Sequence, residues 1–161
     1  LDFAFVDELA VNPRIFKVPV YEEVLSLFAS QEYLKNHNHR AKDNRPYFES
    51  LDYIDYLPQA PILRIWFKHH YNFKAINLNL RAVAQEVQGV SKLIFSHLGV
   101  GVLPEHHANQ VDPQEKLLHR FKGGPKPLKN KISVASLMDR THSPIAQKAM
   151  EVLRSLLREM N

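Results

Sequence analysis

Nine histidines are the first candidates for chemistry in this sequence. Imidazole can ligate a metal or shuttle a proton near neutral pH. His69-His70 and His106-His107 are adjacent pairs in segments of helical character, so their side chains diverge by about 100° and do not easily share one ion. His37-x-His39 could chelate from an extended segment, but the polar stretch KNHNHRAKDNRP around it offers no obvious third ligand. Acids stand at the ends of apolar segments as Asp7, Glu8, Glu86 and Asp139, where α/β enzymes deploy carboxylates. Strand ends also carry polar residues simply because the chain leaves the core there. No GxGxxG, phosphate loop, GxSxG or HExxH occurs. The chain has no cysteine, which removes disulfides, thiolate metal sites and thiol catalysis. These residues predict no catalytic group, no metal and no cofactor.

Charge is distributed unevenly. From Lys116 to Lys131 the cations Lys116, Arg120, Lys122, Lys126, Lys129 and Lys131 occur with no acid among them, around Gly123-Gly124-Pro125. A solvated turn is the plain reading, and a docking patch for an anionic partner is the other. The net charge of +4 is compatible with both. With 161 residues, 45% hydrophobic and 24% charged, the chain can build one ordinary domain or two small halves sharing a sheet. No uninterrupted apolar stretch reaches membrane-spanning length, so no crossing of a bilayer is predicted. The opening LDFAFVDEL reads as a core strand with neither an initiator Met nor a secretion signal. We expect a piece of a longer polypeptide.

The elements that must position these groups follow from periodicity. Ile15 to Ser30 reads as one long extended passage whose last part, EVLSLFAS, is apolar on both sides, as a fully buried strand must be. A short helix is predicted at Gln31 to Lys35, a loop over KNHNHRAKDNRP, and a strand over Leu51 to Leu57. Pro61 opens a helix with Ile62, Ile65, Trp66 and His69 on its inner face. NLNLRAVAQE alternates as a strand, and Val87, Val90, Ile94 and Leu98 mark a helix that Gly99 stops. Val100 to Leu103 is a brief buried strand in which Gly101 leaves room for a close neighbour, and Pro104 suits the first turn of the next helix. Leu117 to Phe121 and Ile132 to Leu137 are the last strands. Ser143 and Pro144 begin a helix striped by Ile145, Ala149, Val152, Leu153, Leu156, Leu157 and Met160. Alternating strands and helices predict an open, largely parallel α/β arrangement.

In this order, LDFAFVD, YEEVLSLFAS with its short helix, FESLDYIDYLPQAPILRIW, NLNLRAVAQEVQGVSKLIFSHLGVGVLPEHHA and a closing strand with a capped helix resemble the effector-binding domain of LysR-type transcriptional regulators. The resemblance implies a periplasmic-binding-protein-like (type II) fold. Its two α/β subdomains are joined by two crossover strands, here around Val24 to Ser30 and Ile132 to Leu137. Residues 1–29 and 131–161 would form an incomplete first subdomain, and residues 30–130 the second. A small-molecule effector would bind between the halves. Carried over by position, its candidates are Pro58, Gln59 and Ala60 in one strand-to-helix turn, Glu86, Val87 and Gln88 in the next, Leu103 and Pro104, and Asp7 and Ser30 near the hinge. Gln59-Ala60-Pro61 lacks the Ser or Thr that many relatives offer to a carboxylate, which leaves room for an apolar or uncharged effector. The resemblance further implies a cytoplasmic bacterial regulator, not an enzyme. It would contact DNA through a winged helix-turn-helix placed before Leu1 and assemble as a homodimer or homotetramer. The rival readings are a solute-binding protein of a transporter, a small α/β enzyme using Asp7 or Glu86, and direct nucleic-acid binding by residues 116–131.

Overall fold

The computed structural model describes residues 4–6, 15–37, 44–137 and 143–159. In chain order its elements are β1 (Ala4–Val6), β2 (Ile15–Ser30), α1 (Gln31–Asn36), α2 (Arg45–Glu49), β3 (Asp52–Asp55), α3 (Pro61–Tyr71) and β4 (Asn79–Val83). Then follow α4 (Val87–Phe95), β5 (Val100–Pro104), α5 (Glu105–Val111), β6 (Leu118–Arg120), β7 (Leu128–Leu137) and α6 (Pro144–Glu159). The chain divides into two units, Leu1–Glu23 with Lys129–Asn161, and Val24–Leu128.

In the second unit the strands run in the order β2-β5-β3-β4, with β6 also on β2. β3, β4 and β5 are mutually parallel, whereas β2 runs antiparallel to β5 and to β6. Every residue of β5, VGVLP, is buried. Successive side chains of a strand point to opposite faces, so Val100 and Val102 enter a core with Leu63, Trp66 and Phe67 of α3. Leu103 enters a second core with Val90 and Ile94 of α4 and Ala108 of α5. Two glycines make that double coverage possible. A Cβ on Gly99 would stand 2.6 Å from the Asp52 carbonyl oxygen, so only a bare Cα lets β5 enter against β3. A Cβ on Gly101 would meet Ile94 Cδ1 at 3.1 Å and Val90 Cγ1 at 3.2 Å; the close neighbour is helix α4.

Several local expectations are corrected. Helix α4 is stopped by His97, which takes the left-handed conformation at φ 61°, and not by Gly99. A hydrogen bond of 2.7 Å between its Nδ1 and Ser30 Oγ holds that conformation. Leu98, expected on the inner stripe, is therefore beyond the helix and 45% exposed. Pro104 is the last residue of β5 and caps α5 from outside its first turn. The end of the predicted loop, Arg45 and Pro46, already belongs to α2, a helix the sequence did not announce: Asn44 Oδ1 accepts from the Tyr47 amide at 3.1 Å, and Tyr47 and Phe48 are buried. So short a helix shows no periodicity, which is why the sequence reads as loop there. In α3 the buried face is Leu63, Trp66 and Phe67, whereas His69 is exposed.

In the first unit β1 lies antiparallel to β7, with Ala4 opposite Ala135 and Val6 opposite Ser133, and β7 pairs with β2. Lys129 Nζ and Glu22 Oε1 stand 2.6 Å apart, and Asn130 donates to Glu23 at 2.8 Å. Helix α6 begins at Pro144, as predicted. Of its apolar stripe, Ile145, Val152 and Leu156 are exposed, at 82%, 47% and 52%, while Ala149 and Leu153 are half-buried. Met160 lies outside the described residues.

The α5–β6 connection is organised by one carboxylate. Asp112 accepts from the amides of Lys116, Leu117 and Leu118 at 3.2, 2.8 and 2.8 Å. Burial by itself would raise this acid, but the amides of Leu118, Leu117 and Lys116 together hold it below the usual carboxylate range. A depressed acid stabilises the fold above its ordinary value and loses that contribution as pH falls through the folded value. The stability gap between the native chain and Asp112→Asn, measured by urea unfolding, will be widest near neutral pH and narrow below about pH 3.8. Gly99→Ala will lower unfolding stability by about 3 kcal/mol in the same assay, because backbone must move.

Candidate functional site

Parallel pairing brings the carboxyl ends of β3, β4 and β5 to one edge of the second unit. The register sets Asp55 opposite Val83 and Ile54 opposite Gly101. From that edge the connection leaving β3 turns into α3, on the face of the first core. Those leaving β4 and β5 turn into α4 and α5, on the other face. Where neighbouring strands send their connections to opposite faces, the edge opens into a crevice, the usual ligand position in α/β sheets.

Three of the predicted clusters meet there. Pro58 and Gln59 are exposed in the turn after β3, and Ala60 is buried in the left-handed conformation at φ 51°. Glu86 and Gln88 are exposed and Val87 half-buried at the start of α4. Glu86 caps that helix through its backbone alone, with its carbonyl accepting from the Val90 amide at 3.0 Å. Leu103 and Pro104 end β5 at the same edge, but both are buried, Leu103 completely. They shape the edge from below and offer no side-chain surface. Beyond them, Glu105 Oε1 accepts from Ser26 Oγ at 2.6 Å and from an Arg120 guanidinium nitrogen at 2.9 Å.

Ser30 is not among them. Because β2 is antiparallel to β5, with Leu25 opposite Pro104 and Phe28 opposite Gly101, its last residue falls at the other edge of the sheet. There Ser30 is 2% exposed, and its Oγ accepts from the Tyr33 amide at 3.1 Å as the cap of α1. Asp7, together with Glu8 and Asp139, lies outside the described residues. Four of the histidines, His37, His69, His70 and His97, make hydrogen bonds within local structure. His37 Nδ1 donates to the Tyr33 carbonyl at 2.9 Å, and His69 Nε2 to the Lys126 carbonyl at 3.0 Å. His70 Nδ1 accepts from the Gly124 amide at 2.9 Å. Among the described residues no three His, Asp or Glu side chains are grouped to hold a metal.

The residue that organises the edge was missed from sequence. Asp55, 1% exposed, accepts from the Leu63 amide at 2.9 Å with Oδ2, and from Tyr56 and Leu57 at 2.6 and 3.4 Å with Oδ1. Ala60 has no side-chain oxygen with which to cap α3, so the carboxylate at the end of β3 does it instead. Burial pushes this acid above the usual carboxylate range, against the opposing amides of Leu63, Tyr56, Leu57 and Ile62. The amino end of α3, ordinarily an attractive place for an anionic ligand, is thus occupied by the protein's own carboxylate. The available signal was an acid closing a strand ahead of a proline-started helix without a cap. Asp55→Ala will cost about 2–3 kcal/mol in urea unfolding, because it orphans buried amides and removes the only side-chain cap of α3.

No family model and no curated protein matches the sequence. Solved structures do. The regulatory domain of CcmR from Synechocystis, in complex with 2-PG, superposes with a TM-score of 0.74 at 17% identity, covering 99% of this chain and 74% of that one. The regulatory domain of CrgA, a LysR-type transcriptional regulator from Neisseria meningitidis, gives 0.75 at 13% identity, covering 98% and 76%. ArgP from Mycobacterium tuberculosis gives 0.78 at 15% identity, covering 96% of this chain and 51% of that one. The chain has the fold of the regulatory domain of LysR-type transcriptional regulators, the periplasmic-binding-protein-like type II fold.

Proposed function

We propose that this chain is the effector-sensing part of a LysR-type, DNA-binding transcriptional regulator. The observation that supports it is a fold likeness to such regulatory domains running over nearly the whole chain. We read residues 1–29 with 131–161 and residues 30–130 as the two regulatory subdomains. The protein acts by binding and not by turnover, with DNA read by a winged helix-turn-helix elsewhere in a cytoplasmic homodimer or homotetramer. Among the described residues no helix is long and apolar enough to cross a membrane.

The effector meets the carboxyl edge of the second unit, where Gln59, Gln85, Glu86 and Gln88 are exposed polar side chains. Asp55 already fills the start of α3, Glu86 adds a further acid, and the exposed Arg64 is engaged by the Gln59 and Ile76 carbonyls, so the edge disfavours a carboxylate or phosphate. Amide side chains at Gln59 and Gln88 suit an uncharged polar molecule with both donors and acceptors. Such a ligand switches the regulator only through its differential affinity for two arrangements of the protein; equal affinity for both would shift nothing.

A thermal-shift screen of metabolites against the 161-residue chain tests this reading. At least one uncharged polar compound will raise the melting temperature in proportion to occupancy, reaching about 2.7 kcal/mol of stabilisation at a hundredfold excess over Kd. Gln59→Ala and Gln88→Ala will each weaken that compound about tenfold, the scale of a lost hydrogen bond. A silent screen, or a shift that survives both substitutions, would falsify the assignment.

A further inference from the structure

The second unit contains a cavity that the effector reading does not use. It has a volume of about 430 Å³ and lies between β2, α3, the start of α5 and the connection from β6 to β7. Its apolar wall comes from Val24, Leu25, Phe121, Pro125 and Pro127, and its polar wall from Ser26, His70, Glu105, Arg120 and Lys122. Trp66 also lines it and is 1% exposed; its indole Nε1 has no hydrogen-bond partner among the described residues but is closed off from the cavity, so the ring and not the N–H meets a ligand there.

The charges point to an anionic ligand. Arg120 and Lys122 are both exposed, and Lys122 forms no ion pair among the described residues. Arg120 gives one nitrogen to Glu105, which is also engaged by Ser26, and its side chain remains 61% accessible. With one acid against two permanent cations, the wall carries an excess of positive charge. The roof is already ordered. Tyr71 donates to the Lys122 carbonyl at 2.6 Å, the Gly124 amide donates to His70 Nδ1 at 2.9 Å, and His69 donates to the Lys126 carbonyl at 3.0 Å. His70 must be neutral at Nδ1 to accept that amide, in keeping with burial and the neighbouring His69 holding it below the usual imidazole range. A pre-ordered roof spares a ligand the entropy of organising it.

We propose that this cavity is a binding site for a small organic carboxylate with a compact apolar body, the carboxylate directed to Arg120 and Lys122 and the body resting on Leu25, Phe121 and the two prolines. The site does not depend on the effector reading, and its ligand chemistry is the opposite of that expected at the carboxyl edge. Trp66 is the only tryptophan of the chain and lines this cavity, so its fluorescence is a probe of it. Cyclohexanecarboxylate is a suitable probe, since it does not absorb where indole is excited. Titrated into the 161-residue chain at pH 7.5, it will change the Trp66 emission saturably with a Kd of about 1 mM or tighter. The neutral cyclohexanecarboxamide will bind at least about tenfold more weakly, and inorganic phosphate will produce no saturable change, for want of an apolar body. Lys122→Met and Arg120→Gln will each weaken the carboxylate about tenfold, whereas Lys92→Met, which removes an exposed charge from α4, will not. Lys122 is exposed and its side chain makes no hydrogen bond or ion pair among the described residues, so that variant decides the matter if Arg120→Gln unfolds. No saturable emission change, an equal response to the carboxamide, or a titration unaltered in Lys122→Met would overturn the proposal.

Discussion

A strand with no face in water governs the second unit. β5 is buried along its whole length, so both its faces must be covered by helices and both its edges paired. Coverage by α3 on one side and α4 with α5 on the other is possible only because the backbone is bare at Gly99 and Gly101, where β3 and α4 press closest. Parallel strands buried on both faces need crossover helices, and crossovers that leave adjacent strands toward opposite faces open the carboxyl edge. The position of the candidate site is therefore a consequence of packing around one short strand.

The chemistry of that edge is set by what the fold spends on its own backbone. An α-helix begins with amides that lack intrahelical partners. At α3 they are satisfied by Asp55, at α1 by Ser30 and at α2 by Asn44. At α4 the residue before the helix contributes no side-chain hydrogen bond. The edge thus offers one helix start closed by an internal carboxylate beside another without a side-chain cap, flanked by Gln59, Gln85, Gln88 and Glu86. Such a lining recognises hydrogen-bonding groups better than negative charge.

Of the histidines, which dominate a first reading for chemistry, those of α3 and His97 have a structural explanation. Those of α3 tie down the glycine-proline connection that roofs the cavity beside Trp66. His97 ends α4 in a left-handed conformation secured by Ser30, linking the cap of α1 to the end of α4. The cationic run from Lys116 to Lys131 divides in a similar way: Arg120 and Lys129 are held in ion pairs, while Lys122 faces the cavity. A run of like charge in sequence becomes several unrelated environments once the chain turns back on itself.

What the sequence determined by itself was the succession of elements and the class of fold. Alternation fixed β2, β4 and β5, Pro61 and Pro144 marked helix starts, and the glycine in VGVLP announced a close neighbour, all from signals within a few residues. Helix α2 escaped because its cap and two buried aromatics span less than two turns. Only the tertiary structure could decide that Ser30 stands at the opposite edge from Pro104, since strand direction is a property of a pairing between distant segments. It also decided that Asp55 caps α3 and that Trp66, Arg120 and Lys122 share one wall. Periodicity tells each residue which face it belongs to; it carries no information about which distant residue will be opposite, and binding sites are made of those oppositions.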